Sequence, residues 1–250
     1  PRPLSFLPMP DRFAHRRQFI RACAAAGRDV GSVRLIAVSK LQPPAAVASA
    51  LRLGQLDFGE NYAQELRDKS AALAADSSVA GLSPRWHFIG PLQRNKVHLV
   101  VGRVELIHSV DSRELAAAIG ARAARQSADG PDLVQDCLIQ VNLAGEEQKA
   151  GCPPGELPAL LDFIAATAGL RCRGLMCIPP ATAQPADARP YFRRLRELRD
   201  EQARIARPRV ELRELSMGMS ADYEVAIEEG ATLVRVGTAI FGERPPAGGA

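Results

Sequence analysis

Short apolar runs alternate with longer amphipathic segments from about residue 33 to residue 242. The runs VRLIAVS (33 to 39), LDFG (56 to 59), WHFIG (86 to 90), VELIHS (104 to 109), DCLIQVN (136 to 142), CRGLMCI (172 to 178), ELRELSM (211 to 217) and TLVRVGT (232 to 238) each predict a strand. Between them the pattern predicts helices over residues 43 to 54, 60 to 76, 91 to 101, 112 to 127, 154 to 168, 187 to 206 and 220 to 230, with a further helix over 11 to 26 ahead of the first strand. End signals agree with these bounds. Pro43 and Pro91 stand near helix starts, Asp111 or Ser112 can cap the fourth crossover helix, and Gly54 and Gly230 follow last turns.

Eight strands joined by right-handed helical crossovers close most simply as a single (β/α)8 TIM-type barrel, here an α/β fold with an extra N-terminal helix. An open doubly wound sheet shares the alternation. It usually carries a glycine-rich turn after its first strand, and neither GxGxxG nor GxxxxGK[ST] occurs in this chain. The expected organisation is an N-terminal extension over 1 to 10, the barrel over 11 to 244, and a flexible tail over 245 to 250.

Composition narrows the function classes. Apolar residues make up 46% and charged residues 24% of the 250, as in a globular protein with a real core. No apolar stretch reaches membrane-spanning length and the opening residues lack a secretory signal, so a cytoplasmic protein is expected, with no membrane partner. The net charge of +4 comes mainly from arginines; only Lys40, Lys69, Lys96 and Lys149 are lysines. In the densest basic stretch, YFRRLRELRDEQARIARPR, acidic residues interleave at helical spacing, which reads as a solvated helix face. No nucleic-acid partner is expected. Five scattered cysteines without a CxxC, and four histidines without an HxxxH, offer neither a disulfide framework nor a metal site.

In a barrel of this type the active site lies at the C-terminal ends of the strands. The first strand runs LIAVSK, and alternation puts Ile36, Val38 and Lys40 on one face. An ammonium above an apolar column is desolvated, which favours the neutral nucleophilic amine of a Schiff-base lysine. A lysine snorkelling to a carboxylate is the alternative. Arg235 lies among apolar residues of the last strand and must be paired, either with a ligand or with a core carboxylate. Gly237 and Thr238 then open a turn with free N–H groups, and Ser216, Gly218 and Ser220 close the preceding strand, a pattern similar to the phosphate site after strands seven and eight of barrels. A lysine, an arginine and a phosphate cradle together describe a phosphorylated aldehyde cofactor.

AVSK, FGENYAQE (58 to 65), WHFIGPLQRNK (86 to 96), GLMCIPP (174 to 180) and LSMGMSADYEVAIEEGATLVRVGTAIFGER (215 to 244) resemble the pyridoxal phosphate homeostasis protein family, whose fold is similar to the N-terminal barrel of alanine racemase. The likeness runs from about residue 10 to 244. It implies that Lys40 carries pyridoxal 5'-phosphate (PLP) as a Schiff base, that Arg235 faces the pyridine nitrogen, and that Ser216, Gly237 and Thr238 help hold the phosphate. Asn61 and His87 fall in matched motifs near the expected mouth. A guanidinium at the ring nitrogen disfavours its protonation, so carbanion chemistry is expected to be weak. The resemblance thus implies a role in vitamin B6 homeostasis, with no robust catalysis and apo PLP-dependent enzymes as recipients; a racemase of low activity is the alternative. It also favours a monomer. Gln42 stands where some bacterial relatives carry a second lysine, and Lys149 matches a family lysine.

Overall fold

The structure, a computed structural model, describes residues 14–128, 130, 132–146, 150–181 and 183–242. Eight parallel strands close in chain order: β1 (Arg34–Val38), β2 (Asp57–Glu60), β3 (Arg85–Phe88), β4 (Leu106–Val110), β5 (Gln135–Gln140), β6 (Leu170–Met176), β7 (Val210–Met219) and β8 (Leu233–Val236), with β8 pairing back to β1. The helices are α1 (Ala14–Ala25), α2 (Pro44–Arg52), α3 (Ala63–Ala75), α4 (Arg113–Ala128), α5 (Leu157–Ala166), α6 (Arg189–Ala203), α7 (Tyr223–Glu228) and α8 (Thr238–Phe241). The barrel and its leading helix are therefore as the hydrophobic pattern predicts. The expected boundaries at residues 10 and 244 lie outside the described residues.

Local chemistry sets the ends. Pro43 precedes α2, the Ser112 hydroxyl accepts the Leu115 N–H at 3.4 Å to open α4, and Gly54 and Gly230 adopt φ of +85° and +99° beyond α2 and α7. Two segments differ from expectation. Residues 91 to 101 form only a short 3-10 helix, Arg94–Leu99, without a side-chain cap; Val97, Val100 and Val101 are β-branched and fit an α-helical turn poorly. The last strand stops at Val236, and Thr238 already belongs to α8.

Alternation divides the core in two. Outward side chains such as Ala37, Phe58 and Trp86 pack against the helices, while Ile36, Leu106, Leu138, Met176 and Leu233 form a separate apolar plug inside the barrel. Gly59 makes room for that plug, since a Cβ there would come within 2.9 Å of Ile89 and 3.0 Å of Ile36. The N-terminal mouth is closed by ion pairs. Arg34 bonds Glu105 at 2.5 Å and Glu214 at 3.2 Å, Arg85 bonds Asp57 at 2.5 Å, and Arg171 bonds Asp136 at 2.6 Å. No helix among the described residues is long and apolar enough to cross a membrane.

Candidate functional site

At the C-terminal mouth β1 ends at Val38 and the chain turns at once, leaving Lys40 half-buried in the turn above Ile36 and Val38. Leu41 follows with φ +62°, a left-handed conformation that costs a non-glycine residue about 1–2 kcal/mol. Something must hold it there. Its N–H donates to Glu65 Oε1 at 2.6 Å, and the Gln42 N–H closes the turn on the Ser39 carbonyl at 3.0 Å. Beneath the turn Lys69 is buried, donating to the Ser39 carbonyl at 2.5 Å, Glu65 Oε1 at 2.6 Å and Glu60 Oε1 at 2.8 Å. Burial raises the Glu60 carboxyl above the ordinary glutamate value even though Lys69 and Ser39 pull it down.

Beside β1, the paired strand β8 carries Arg235, which is buried inside the barrel in register with Ile36. Nη1 donates to Ser216 Oγ at 2.5 Å and Nη2 to the Cys177 carbonyl at 3.0 Å, and no carboxylate of the described residues lies within ion-pair distance. The core salt bridge weighed above is thus absent among them. Burial lowers the Arg235 pKa, partly offset by Cys177 and by the more distant Asp222, and a buried guanidinium with no carboxylate at ion-pair distance among the described residues keeps its charge available to a ligand.

Below Arg235 a hydrogen-bonded row crosses the barrel interior. Ser216 Oγ meets His108 Nδ1 at 2.8 Å, His108 Nε2 meets His87 Nδ1 at 3.1 Å, and His87 Nε2 meets Asp57 Oδ1 at 3.1 Å. Burial would raise the Asp57 carboxyl, but hydrogen bonds from His87 and Arg85 outweigh it and hold Asp57 below the usual aspartate range. Burial, reinforced by His87 and Arg235, keeps His108 well below the ordinary imidazole value, and therefore neutral. Ionised Asp57 can only accept, so His87 Nε2 donates to it, and at the other end Arg235 Nη1 donates to Ser216 Oγ, which anchors the row on a carboxylate and on a guanidinium. This row was invisible in the sequence as a unit, although each member occupies an inward position of its strand.

The same row locates two of the expected residues. His87 lies fully buried inside the barrel, in register with Gly59 on β2 and with its ring bonded to Asp57 and His108, below the mouth where the motif suggested it. Ser216 is likewise buried, with its hydroxyl shared between Arg235 and His108. Asn61, Gly237 and Thr238 do stand beyond their strand ends. The Asn61 Oδ1 atom is buried without a hydrogen-bond partner. Gly237 passes close to β1, where a Cβ would come within 3.3 Å of the Val38 carbonyl, and its N–H reaches Ser220 Oγ at 3.4 Å. The exposed Thr238 and Ala239 N–H groups open α8 with no preceding turn to bond. Lys149 lies outside the described residues.

A second group, Asp57, His87 and Glu105, brings donor atoms within 4.8 Å of one another near the N-terminal mouth. Arg85 and Arg34 already pair with its carboxylates, so guanidinium charge stands where a cation would have to enter. The group is accounted for as an ion-pair network.

A parallel barrel with a lysine after β1 and an arginine on β8 at one mouth defines a class: the model of the alanine racemase N-terminal domain matches residues 10–245. The particular relatives are closer. The pyridoxal phosphate homeostasis protein of Aquifex aeolicus is 46% identical over 224 residues, covering 90% of this chain and 92% of that protein. Among solved structures, an unknown protein from Bifidobacterium adolescentis superposes with a TM-score of 0.82 at 37% identity, covering 90% and 92% of the two chains. PipY of Synechococcus elongatus with PLP bound superposes with a TM-score of 0.76 at 36% identity, covering 90% of this chain and 100% of that one. The chain belongs to the pyridoxal phosphate homeostasis protein family.

Proposed function

We propose that this protein binds pyridoxal 5'-phosphate at the C-terminal mouth of the barrel and takes part in vitamin B6 homeostasis. The observation that carries the reading is Lys40 just after β1 and, on the neighbouring β8, a buried Arg235 with no carboxylate at ion-pair distance among the described residues, in a family whose member PipY was solved with PLP bound. The residues fit the group. Asn61 Oδ1 is an unmatched acceptor, Arg235 a buried cation whose hydrogen bonds go to a hydroxyl and a carbonyl, and the turn into α8 a set of N–H donors.

Bound PLP supplies an aldehyde that condenses with a primary amine, together with an electron-withdrawing ring. Lys40 Nζ would be the amine that holds the aldehyde. Arg235 would face the ring nitrogen and, as a cation, oppose its protonation, while the Ser216–His108–His87–Asp57 row holds the guanidinium in place. Gly237 and Thr238 hold the phosphate with Ser220 beside them. His87 and Ser216 act on the cofactor through Arg235. These roles would suit a carrier, since the ring would be a poor electron sink and the bond between lysine amine and aldehyde would form and hydrolyse reversibly. The protein is a cytoplasmic monomer in this reading and delivers PLP to apo forms of PLP-dependent enzymes.

Incubation with PLP, borohydride reduction and peptide mass mapping test it. A pyridoxyl group on Lys40, lost in Lys40→Ala, is the expected result; a reduced adduct on another lysine, or none, overturns it. Holo-protein incubated with L-alanine in deuterated water separates carrier from racemase, since α-deuteration would demonstrate racemase chemistry.

A further inference from the structure

Four lysines among 32 basic residues make the burial of one of them, Lys69, a specific choice. Its ammonium donates to three acceptors that converge from different elements: the Ser39 carbonyl after β1, Glu60 at the end of β2, and Glu65 one turn back on α3. A guanidinium cannot place three donors on one nitrogen, whereas an ammonium does so by rotation. The acceptors bracket Lys40. The peptide carbonyl before it is bound by Lys69, and the first N–H after it, that of Leu41, is bound by Glu65. Lys69 and Glu65 are themselves joined as an i,i+4 pair, and Glu60 also accepts from the Ser39 hydroxyl at 2.6 Å. One ion pair on α3 thus grips the backbone on both sides of the cofactor lysine and holds Leu41 in its left-handed conformation.

We propose that Lys69 and Glu65, seated on Glu60, are positioning residues that fix the Lys40 turn so that its amine is presented to PLP. The proposal rests on the reading of Lys40 as the cofactor lysine. Neither residue is needed to touch the cofactor; each acts through a peptide group. Loss of the grip frees the Lys40 turn to relax toward ordinary φ values, and the amine moves with it.

Two variants test this: Lys69→Met, and the milder Glu65→Ala at a partly exposed helix position. Three readouts separate positioning from general stability: hydrogen exchange of the Leu41 amide in the apo protein, the dissociation constant for PLP, and the induced circular dichroism of bound PLP. Leu41 exchange on the order of tenfold faster, with amides of β5 and β6 unchanged, is the expected apo result. PLP binding weaker by on the order of tenfold, with an altered dichroic band, is the expected holo result. Should Lys69→Met fail to fold, Glu65→Ala decides. Unchanged Leu41 exchange overturns the grip, and faster exchange with wild-type affinity and dichroism overturns its role in presenting the amine. A wild-type protein that takes no PLP onto Lys40 overturns the cofactor reading instead, and the exchange measurement then still decides whether the grip exists.

Discussion

The two mouths of this barrel are built from the same strands and treat charge in opposite ways. At the N-terminal mouth Arg34, Arg85, Arg171 and Arg173 each meet a carboxylate, so the charges cancel within the protein. At the C-terminal mouth Arg235 bonds a hydroxyl and a carbonyl, with no carboxylate at ion-pair distance among the described residues, Asn61 keeps an unmatched buried oxygen, and the side chains of Leu41, Tyr62, Ile178 and Met219 stand exposed around the rim. One mouth satisfies itself and the other leaves groups for a ligand. This is the division of labour expected of such barrels, with stability at the bottom and chemistry at the top. The Asp57–His87–His108–Ser216 row joins the two, anchoring the upper arginine in the lower ion-pair network.

If that division holds, changes at the upper mouth should remove binding and changes at the lower should remove stability. The largest effect is expected for Lys40→Ala, which abolishes the borohydride-fixed adduct while thermal unfolding shifts little; a stable adduct on a neighbouring lysine would break the assignment. Next comes Gly90→Ala. A Cβ there would sit 2.3 Å from the Asn61 carbonyl oxygen, so the Asn61 backbone must move, costing about 1–3 kcal/mol of stability and weakening PLP binding as well. Equilibrium denaturation beside a PLP titration measures both, and unaltered affinity would remove Asn61 from the site.

Asp57→Asn probes the lower mouth. It strips Arg85 of its close partner and breaks the end of the interior row, and since Arg85 is partly solvated the expected cost is about 2–3 kcal/mol. Its pH signature has a definite sign. The folded Asp57 carboxyl lies below its unfolded value of 3.8, so its contribution is full above that pH and is lost as pH falls through the folded pKa. The variant should therefore show a flatter acid limb in its stability profile; an identical acid limb would mean that Asp57 is not the linked group. The smallest change is expected for Arg171→Gln, whose pair with Asp136 is over a third exposed on the arginine side and contributes about 0.2–1 kcal/mol. A loss several times larger in urea denaturation would show that the lower ring acts as a cooperative unit.

Much of the upper mouth could be read in one dimension. Lys40, Asn61, Gly237 and Thr238 stand just beyond apolar runs, and strand ends are where barrels place their chemistry. What could not be read were contacts that cross the barrel. His87 and Ser216 carry the right chemistry for a mouth, but depth along a strand depends on register with its neighbours, and register put both in the interior. Lys69 showed even less. On a predicted amphipathic helix it reads as a solvated lysine, yet α3 turns it inward onto Ser39 and Glu60.

Periodicity of two and of 3.6 follows from backbone geometry alone, and so the strands, nearly all the helices, the parallel barrel and the strand-end lysine were implicit in the order of residues. The family motifs carried the cofactor class. Tertiary packing decided the rest: pairing of β7 with β8 sets Arg235 on Ser216, and curvature of the sheet into a barrel brings Ser216 across to His108 on β4. Packing of α3 against the first turn decided that Lys69 is buried beneath the Lys40 turn, on the Ser39 carbonyl and Glu60. Those pairings join residues far apart in the chain, and only the folded structure brings them within reach of one another.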